Sequence, residues 1–392
     1  MQTLSTLSPL NPEELDSIGF TWHKDADGSN YIANEIVHIS QQEAEVYYEA
    51  ANTLYDMYVE AAQHVIDNDL FFELDIPYTL KEAILQSWEN DVHWHIYGRF
   101  DFAGCIDGDH IKLLEFNADT PTALFETSLL QWALIKANGL DETRQFNDVY
   151  EAIKENFKRL ITLEESTERF TELYDGWKIL FSAVSDNEEE EATVRLLQQI
   201  ATDAGFNTAF CYMNEVHFDE NEGILDEQGN SYEYWFKLFA WEDIAIEEPE
   251  LALTLTTIMK NQLAIILNPA YTLLFQSKGM LKVLYDLFPD SPYLLPCSDE
   301  PLSEKQVEKR CFGREGANTK ILDANGTVLE ENGGPYENFK AIYQAYTQLP
   351  TDTQGNAYQA GVFFAYEGCA LGFRRGGEIL DNSSKFVGHV ID

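Results

Sequence analysis

Two runs, HIYGRFDFAG at 95–104 and HIKLLEFNAD at 110–119, flank Asp107-Gly108-Asp109. Both are rich in strand formers, and Asp-Gly between such runs signals a hairpin. A hairpin constrains a chain strongly, because its register decides which side chains share a face. With a three-residue loop at 107–109, antiparallel pairing sets Asp101 opposite Glu115 and Arg99 opposite Asn117. All four side chains then project from one face. A two-residue loop shifts the register by one and breaks up the set.

Asp101, Glu115 and Asn117 offer hard oxygen ligands, suited to magnesium rather than zinc. Magnesium keeps several waters and is commonly shared with substrate phosphates. Arg99 in the same cluster suits a phosphate or a charged transition state. The plain alternative is a cross-strand polar network on a solvated sheet face. The apolar neighbours of these residues argue against a solvated face.

Thr120-Pro121 marks a helix start, with Thr as N-cap and Pro at the first helical position. The pattern predicts that helix to about Asn138, with Gly139 past its end. Its free N–H groups suit an anion such as a carboxylate, although an ordinary cap is the commoner use of such a start.

The first ninety or so residues read as mostly helical. Ser40 and Glu43 form a capping-box pattern. Behind it Ala44, Tyr47, Ala51, Leu54, Tyr55, Tyr58 and Ala62 recur at helical spacing. Further helices are predicted at 78–88, 147–160, 189–204 and 271–287. Strands are predicted at 178–184, in FNTAFCYM, YEYWFKLFAW, LAIIL and IYQAYTQL, and at 309–312. QAGVFFAYEGCALGFRR reads as a second hairpin turning near Glu367-Gly368. Alternating strands and helices indicate a mixed α/β fold, and the last third reads as an antiparallel sheet with helices.

With 68 acidic against 25 basic residues, the chain repels phosphate backbones and excludes nucleic acid as a partner. The same field attracts cations such as amines, although solvated acidic helix faces explain most of the excess. The 24 Phe, 20 Tyr and 7 Trp supply enough core material to exclude disorder. Five cysteines without a CxxC pair fit a reducing compartment, not a disulfide scaffold. MQTLSTLSPLNPEELD lacks the basic start and apolar stretch of a signal peptide, and no apolar run reaches transmembrane length. These features predict a cytoplasmic protein.

EKRCFGREGANTK at 308–320 places two glycines three apart beside Lys309 and Arg314, a loop able to cover phosphates. It is neither a P-loop nor a dinucleotide fingerprint. His93 and His95 have no third partner at metal-ligand spacing and read as structural. There is no GxSxG elbow.

Three stretches together resemble the synthetase domain of glutathionylspermidine synthase and its stand-alone relatives. They are GRFDF…LLEFNADTP, LLFQSKGMLKVLYDLFPDSPYLLP and FGREGAN, in the same order along the chain. YQAYTQLP and RRGGEILDNSSKFVGHVI agree with them. The resemblance covers nearly all of the chain after about residue 20 and is to the synthetase module, without the amidase domain of the bifunctional enzymes. It implies an ATP-grasp fold, with a pre-ATP-grasp region and a helical N-terminal segment. It also implies ATP-dependent joining of a carboxylate to an amine through an acyl phosphate.

By that resemblance, Asp101, Glu115 and Asn117 bind magnesium and Arg99 stabilises the reacting groups. Lys278 and Lys309 are ATP lysines, and Glu315-Gly316 belong to the phosphate-covering loop. Gln344, Ala345, Tyr346 and Thr347 run along the adenine; Gln359, Ile379 and Leu380 are further nucleotide contacts. Thr120, Glu190 and Glu191 contact the peptide-like acid, and Arg374 is a catalytic-loop arginine. The chain departs from the family at Lys309-Arg310, where Lys-Pro is frequent, and at Asn268-Pro269, where Glu-Pro is. The implied regions are a mainly helical 1–94, a 95–250 carrying the metal hairpin and acid contacts, and a nucleotide-binding 251–392. A nucleotide- or polyamine-binding protein on the same scaffold, without catalysis, is the competing expectation. A kinase that stops at the phosphorylated acid is a third.

Overall fold

The computed structural model describes residues 4–24, 28–106, 110–162 and 178–392. The expected hairpin loop at 107–109 lies outside the described residues. Its strands are Gly98–Ala103 and Lys112–Asn117. Arg99 pairs with Asn117, and Asp101 with Glu115. Beyond Asp101 the register slips, so that Phe102 faces Leu113 and Leu114 is left unpaired. This bulge lets Leu114 and Glu115 both face one cleft, which strict alternation forbids.

The hairpin forms one edge of a seven-stranded sheet. Its order is Leu4–Thr6, Ile32–Ile39, Lys385–Ile391, Glu367–Gly376, Ala357–Ala365, Gly98–Ala103, Lys112–Asn117. The pairings are antiparallel except for Ile32–Ile39 against Lys385–Ile391. The mainly helical N-terminal region therefore supplies two strands that helical periodicity did not reveal. In IANEIVHI the adjacent polar pair Asn34-Glu35 and the adjacent apolar pair Ile36-Val37 break the alternation that marks a half-exposed strand. The sheet also joins the hairpin to the C-terminal strands, across the expected boundary near residue 250.

Helix Gln41–Asp67 begins at the expected capping box, with both reciprocal hydrogen bonds formed. Its apolar stripe covers the sheet. Phe100 and Phe116 stack at 3.8 Å on the face opposite Arg99 and Glu115. Tyr58 meets Phe116 edge-on at 5.2 Å, and Phe275 lies 6.1 Å from it. Each such ring contributes about 1.5–3 kcal/mol by leaving water. The polar face of the hairpin is thus held rigidly from behind.

Two further sheets complete the cleft. Strands Ile265–Leu267, Tyr234–Lys237, Lys178–Ala183 and Asn207–Tyr212 are parallel, in that order. Helix Glu188–Ala204 makes the crossover between the last two and ends at Gly205, whose φ of 107° only glycine adopts easily. The third sheet is antiparallel: Cys297–Ser298, Ala341–Ala345, Gln306–Arg310, Lys320–Leu322, Val328–Glu331.

Two predicted helices are corrected. The helix after the hairpin starts at Leu124, not at Pro121, because Ala123 has φ 63°. Side chains hold the carbonyls that an earlier start would need: Tyr97 Oη donates to Pro121 O at 3.2 Å and Arg99 Nη1 to Thr122 O at 2.6 Å. Thr120 is therefore a loop residue and not an N-cap. Residues 271–287 form two helices, Thr272–Gln276 and Met280–Leu287. Ser277 is extended, with its hydroxyl donating to Leu74 O at 2.6 Å, and Lys278 N donates to Cys311 O at 2.8 Å. Tertiary partners outbid local helix propensity here, and the break aims Lys278 into the cleft.

Lys237 and Asp119 form an ion pair at 3.1 Å with both side chains fully buried. Asp119 also accepts from Trp241 N at 2.9 Å. The pair ties the turn after Asn117 to the parallel sheet. Removing one partner of such a pair strands the other charge. Asp119→Ala is expected to cost about 3–5 kcal/mol in urea unfolding, and Asp119→Ala/Lys237→Met to recover most of it.

Candidate active site

A cleft of about 560 Å³ lies where the sheets meet. Arg99, Asp101, Glu115, Asn117, Thr120, Lys278, Lys309, Glu315, Gly316, Gln344, Ala345, Tyr346, Thr347, Gln359, Arg374, Ile379 and Leu380 line it. Arg99 and Leu380, 281 apart in sequence, thus converge. Glu190 and Glu191 are not in the lining. Glu191 instead accepts from Arg195 at 3.2 Å and from Tyr212 Oη at 2.9 Å.

The hairpin supplies two of the cleft's carboxylates, Asp101 and Glu115. Arg99 grips Asp101 with two parallel bonds, Nε to Oδ1 at 2.7 Å and Nη2 to Oδ2 at 2.9 Å. Asn117 spends its NH₂ on Asp101 Oδ2 at 3.1 Å. That orientation turns its carbonyl oxygen, the metal-type donor, away from Asp101. Glu115 pairs with Lys278 at 3.1 Å. Burial raises the Glu115 carboxyl, but Lys278 and Lys309 outweigh it and hold it down at about 2. Burial raises Asp101 against the opposing pull of Arg99.

The donor set fits magnesium. Two carboxylates and an amide oxygen leave coordination positions for waters and phosphate oxygens. Among the described residues, no three His, Cys, Asp or Glu side chains gather as a self-sufficient metal cluster.

Two lysines stand over these carboxylates. Lys278 Nζ donates to Gly313 O at 2.5 Å, and Lys309 Nζ to Leu114 O at 3.0 Å and Gln344 Oε1 at 2.9 Å. Gln344 Nε2 donates to Leu113 O at 3.0 Å. The carbonyls around the bulge are therefore taken up by the antiparallel sheet. Burial lowers the Lys309 ammonium to about 8, with Glu115 opposing and Lys278 adding.

Loop 313–316 spans the cleft. Gly316 has φ 67°, and a Cβ there would lie 2.2 Å from Leu380 O. Only glycine lets the loop seat against Leu380. Arg314, expected to face phosphates, instead pairs with Asp243 at 2.7 Å and with buried Glu242. On the far side, Gln359 and Arg374 are direct cross-strand partners. Tyr346 carries Lys305 over its ring at 3.4 Å.

The sequence reading missed one end of the cleft. Trp22, Lys24 and Tyr31 enter from the N-terminal segment, and Glu189 from the first turn of helix Glu188–Ala204. Tyr31 Oη donates to the fully buried Glu126 at 2.7 Å. No sequence signal marks them, since each belongs to a different element. His93 and His95 sit in the core, and burial lowers both to about 4. His95 Nε2 bonds Ala118 O at 3.0 Å. Asn268, the departure from Glu-Pro, donates through Nδ2 to Asp119 O at 2.8 Å and accepts from Ile96 N at 3.0 Å. A carboxylate at that position has no proton to give Asp119 O.

Residues 2–392 match the family model described as glutathionylspermidine synthase preATP-grasp. The chain belongs to this family. It is accordingly an ATP-dependent carbon–nitrogen ligase of the acid–amine type. A putative acid–amine ligase of Haemophilus influenzae is 27% identical over 401 residues, covering 97% of each chain. The bifunctional glutathionylspermidine synthetase/amidase of Escherichia coli is 26% identical, over 77% of this chain and 50% of its own length. The trypanothione synthetase of Crithidia fasciculata is 27% identical, over 78% of this chain and 48% of its own. This chain thus spans about half of those two larger proteins. Among solved structures, an apo glutathione synthetase-like effector from Globodera pallida superposes with a TM-score of 0.59. It covers 98% of both chains at 11% identity, a likeness of ATP-grasp fold.

The Lys309 shift has a consequence for nucleotide binding. The ammonium is charged below about pH 8 and neutral above it. Affinity for magnesium-ATP is expected to fall as pH rises through 8. Lys309→Met is expected to flatten that dependence and to weaken binding at least about tenfold, or ~1.4 kcal/mol. Titration calorimetry across this range measures both.

Proposed function

We propose that this cleft joins the carboxylate of a small peptide or amino acid to an amine, through an acyl phosphate made from ATP. The observation that carries this reading is the facing of two charge sets. Asp101, Glu115 and Asn117 stand against Lys278, Lys309 and Arg99 within one cleft. Phosphoryl transfer to a carboxylate brings two anions together, and this arrangement offsets their repulsion.

The roles divide by position. Asp101, Glu115 and Asn117 would hold magnesium, which supplies charge neutralisation to the phosphates when bound. Lys278 and Lys309 hold phosphate oxygens, and Arg99 faces the reacting carboxylate. Gln344, Ala345, Tyr346, Thr347, Gln359, Ile379 and Leu380 form the nucleotide wall. Loop 313–316 keeps water from the acyl phosphate, which hydrolyses readily. Thr120 and Arg374 serve the acid substrate; Glu190 and Glu191, next to the lining on the turn that carries Glu189, contact its peptide end.

The amine follows from charge. A chain with formal net charge −43 draws cations to its clefts. Five free, buried cysteines fit a reducing cytoplasm. Among the described residues, no helix is long and apolar enough to cross a membrane.

Phosphate release from magnesium-ATP, screened over acids and amines with mass detection of the product, tests the reaction. An amide, ADP and phosphate are expected in equal amounts. A phosphorylated acid without amide makes the protein a kinase instead. Asp101→Asn and Glu115→Gln keep shape and remove charge. Each is expected to lower turnover at least about a hundredfold while the cooperative thermal transition persists. Full activity in either variant removes the metal assignment.

A further inference from the structure

An amine attacks an acyl phosphate only as the free base. An alkylammonium titrates near ~10.4, so at neutral pH fewer than about one molecule in a thousand is ready to react. A ligase of this kind gains from a group that takes the proton at the point of attack.

Six carboxylates line the cleft: Asp101, Glu115, Glu189, Glu315, Glu378 and Asp381. Arg99 and Asn117 occupy Asp101, and Lys278 occupies Glu115. Glu378 accepts from Tyr346 at 3.3 Å, and Asp381 from Ser383 Oγ at 2.6 Å. Glu315 is exposed on its loop. Glu189 is half-buried, faces the cleft and, among the described residues, is joined to no cation by an ion pair within 4 Å. It shares the cleft lining with Trp22, Tyr31 and Arg374, and both Tyr31 and Arg374 are within reach of its charge.

We propose that Glu189 is the proton acceptor for the incoming amine, a role that rests on the ligase reading above. Two features of its surroundings suit a base. Glu126, fully buried behind Tyr31, has one oxygen on the Tyr31 hydroxyl and the other without a partner among the described residues. It places a second acid beside Glu189. Arg374 faces the same space; its Nη2 donates to Asp381 O at 3.2 Å.

These groups act together on the Glu189 carboxyl. Burial raises it first and Glu126 next, Glu315 and Glu190 add, and Arg374 opposes; the result is about 7. A base poised near the working pH both holds its charge and accepts a proton readily.

The ammonium gives one proton to a Glu189 carboxylate oxygen. The freed nitrogen lone pair forms the C–N bond at the acyl carbon, and the C–O bond to phosphorus breaks. Phosphate departs with that electron pair and takes the second nitrogen proton as HPO₄²⁻. Glu189 then returns its proton to solvent.

Hydroxylamine tests this role, because it is largely unprotonated at neutral pH and needs no base. The full chain and Glu189→Gln are compared with propylamine and with hydroxylamine, using a panel of amino acids and dipeptides as the acid. In Glu189→Gln, kcat with propylamine is expected to fall about a hundredfold or more. Hydroxamate formation is expected to stay within about twofold, which also shows that the variant is folded. The wild-type kcat with propylamine is expected to rise with pH through an acid limb near 7 that the variant lacks. Glu189→Asp is expected to restore part of the rate. Unchanged propylamine turnover, or equal losses with both nucleophiles, overturns the assignment. If the wild type forms no hydroxamate with any acid, the ligase reading falls, and the proposal with it.

Discussion

Lys309 and Gln344 hold the carbonyls of Leu114 and Leu113, at the point where the hairpin register slips. A regular antiparallel pair has no spare carbonyls on its bonded edge. Lys112–Asn117 is the edge strand of its sheet, so its outward carbonyls beside the bulge are free, and the third sheet docks there. The same slip aims Glu115 beside Asp101, so one extra residue fixes both the metal face and the lysines opposite it. The stacked Phe100 and Phe116 rings hold the hairpin from behind, and Asp119, Asn268 and Lys237 brace the turn that follows.

Charge inside the cleft is settled before any ligand arrives. Asp101 is gripped by Arg99 and Glu115 by Lys278. In a site shielded from water these pairs keep their charges and orientation, so little reorganisation is left for the reaction. Loop 313–316 is seated in the same way, by Gly316 against Leu380 and by Arg314 against Glu242 and Asp243. Arg314 thus couples the cover of the cleft to the parallel sheet.

Much of this was legible in the sequence where one element carries the signal. The Ser40–Glu43 capping box, the crossover helix ending at Gly205 and the Arg99/Asn117 and Asp101/Glu115 pairings follow from local spacing. The pairing arises by another route than loop length alone predicts, since the slip at Leu114 intervenes. The helix start at Thr120 and the unbroken helix over 271–287 failed for a shared reason. In each, a side chain or carbonyl from elsewhere claimed the backbone group that local propensity would have used.

The sequence by itself determined the chemistry available: an acid–amide–arginine set on one hairpin, a glycine loop with basic flanks, and motifs that carry the family. These are local, because alternation in a strand and glycine in a loop act within a few residues. Only the tertiary structure decided that Tyr31, Glu126, Glu189 and Arg374 share one end of the cleft. They come from four separate elements, and no periodicity links them. It also decided that Glu191 pairs outward with Arg195 while Glu189 faces in. The four adjacent glutamates at 188–191 are equivalent in the sequence; the 100° turn between neighbours in a helix, together with where that helix packs, makes them different.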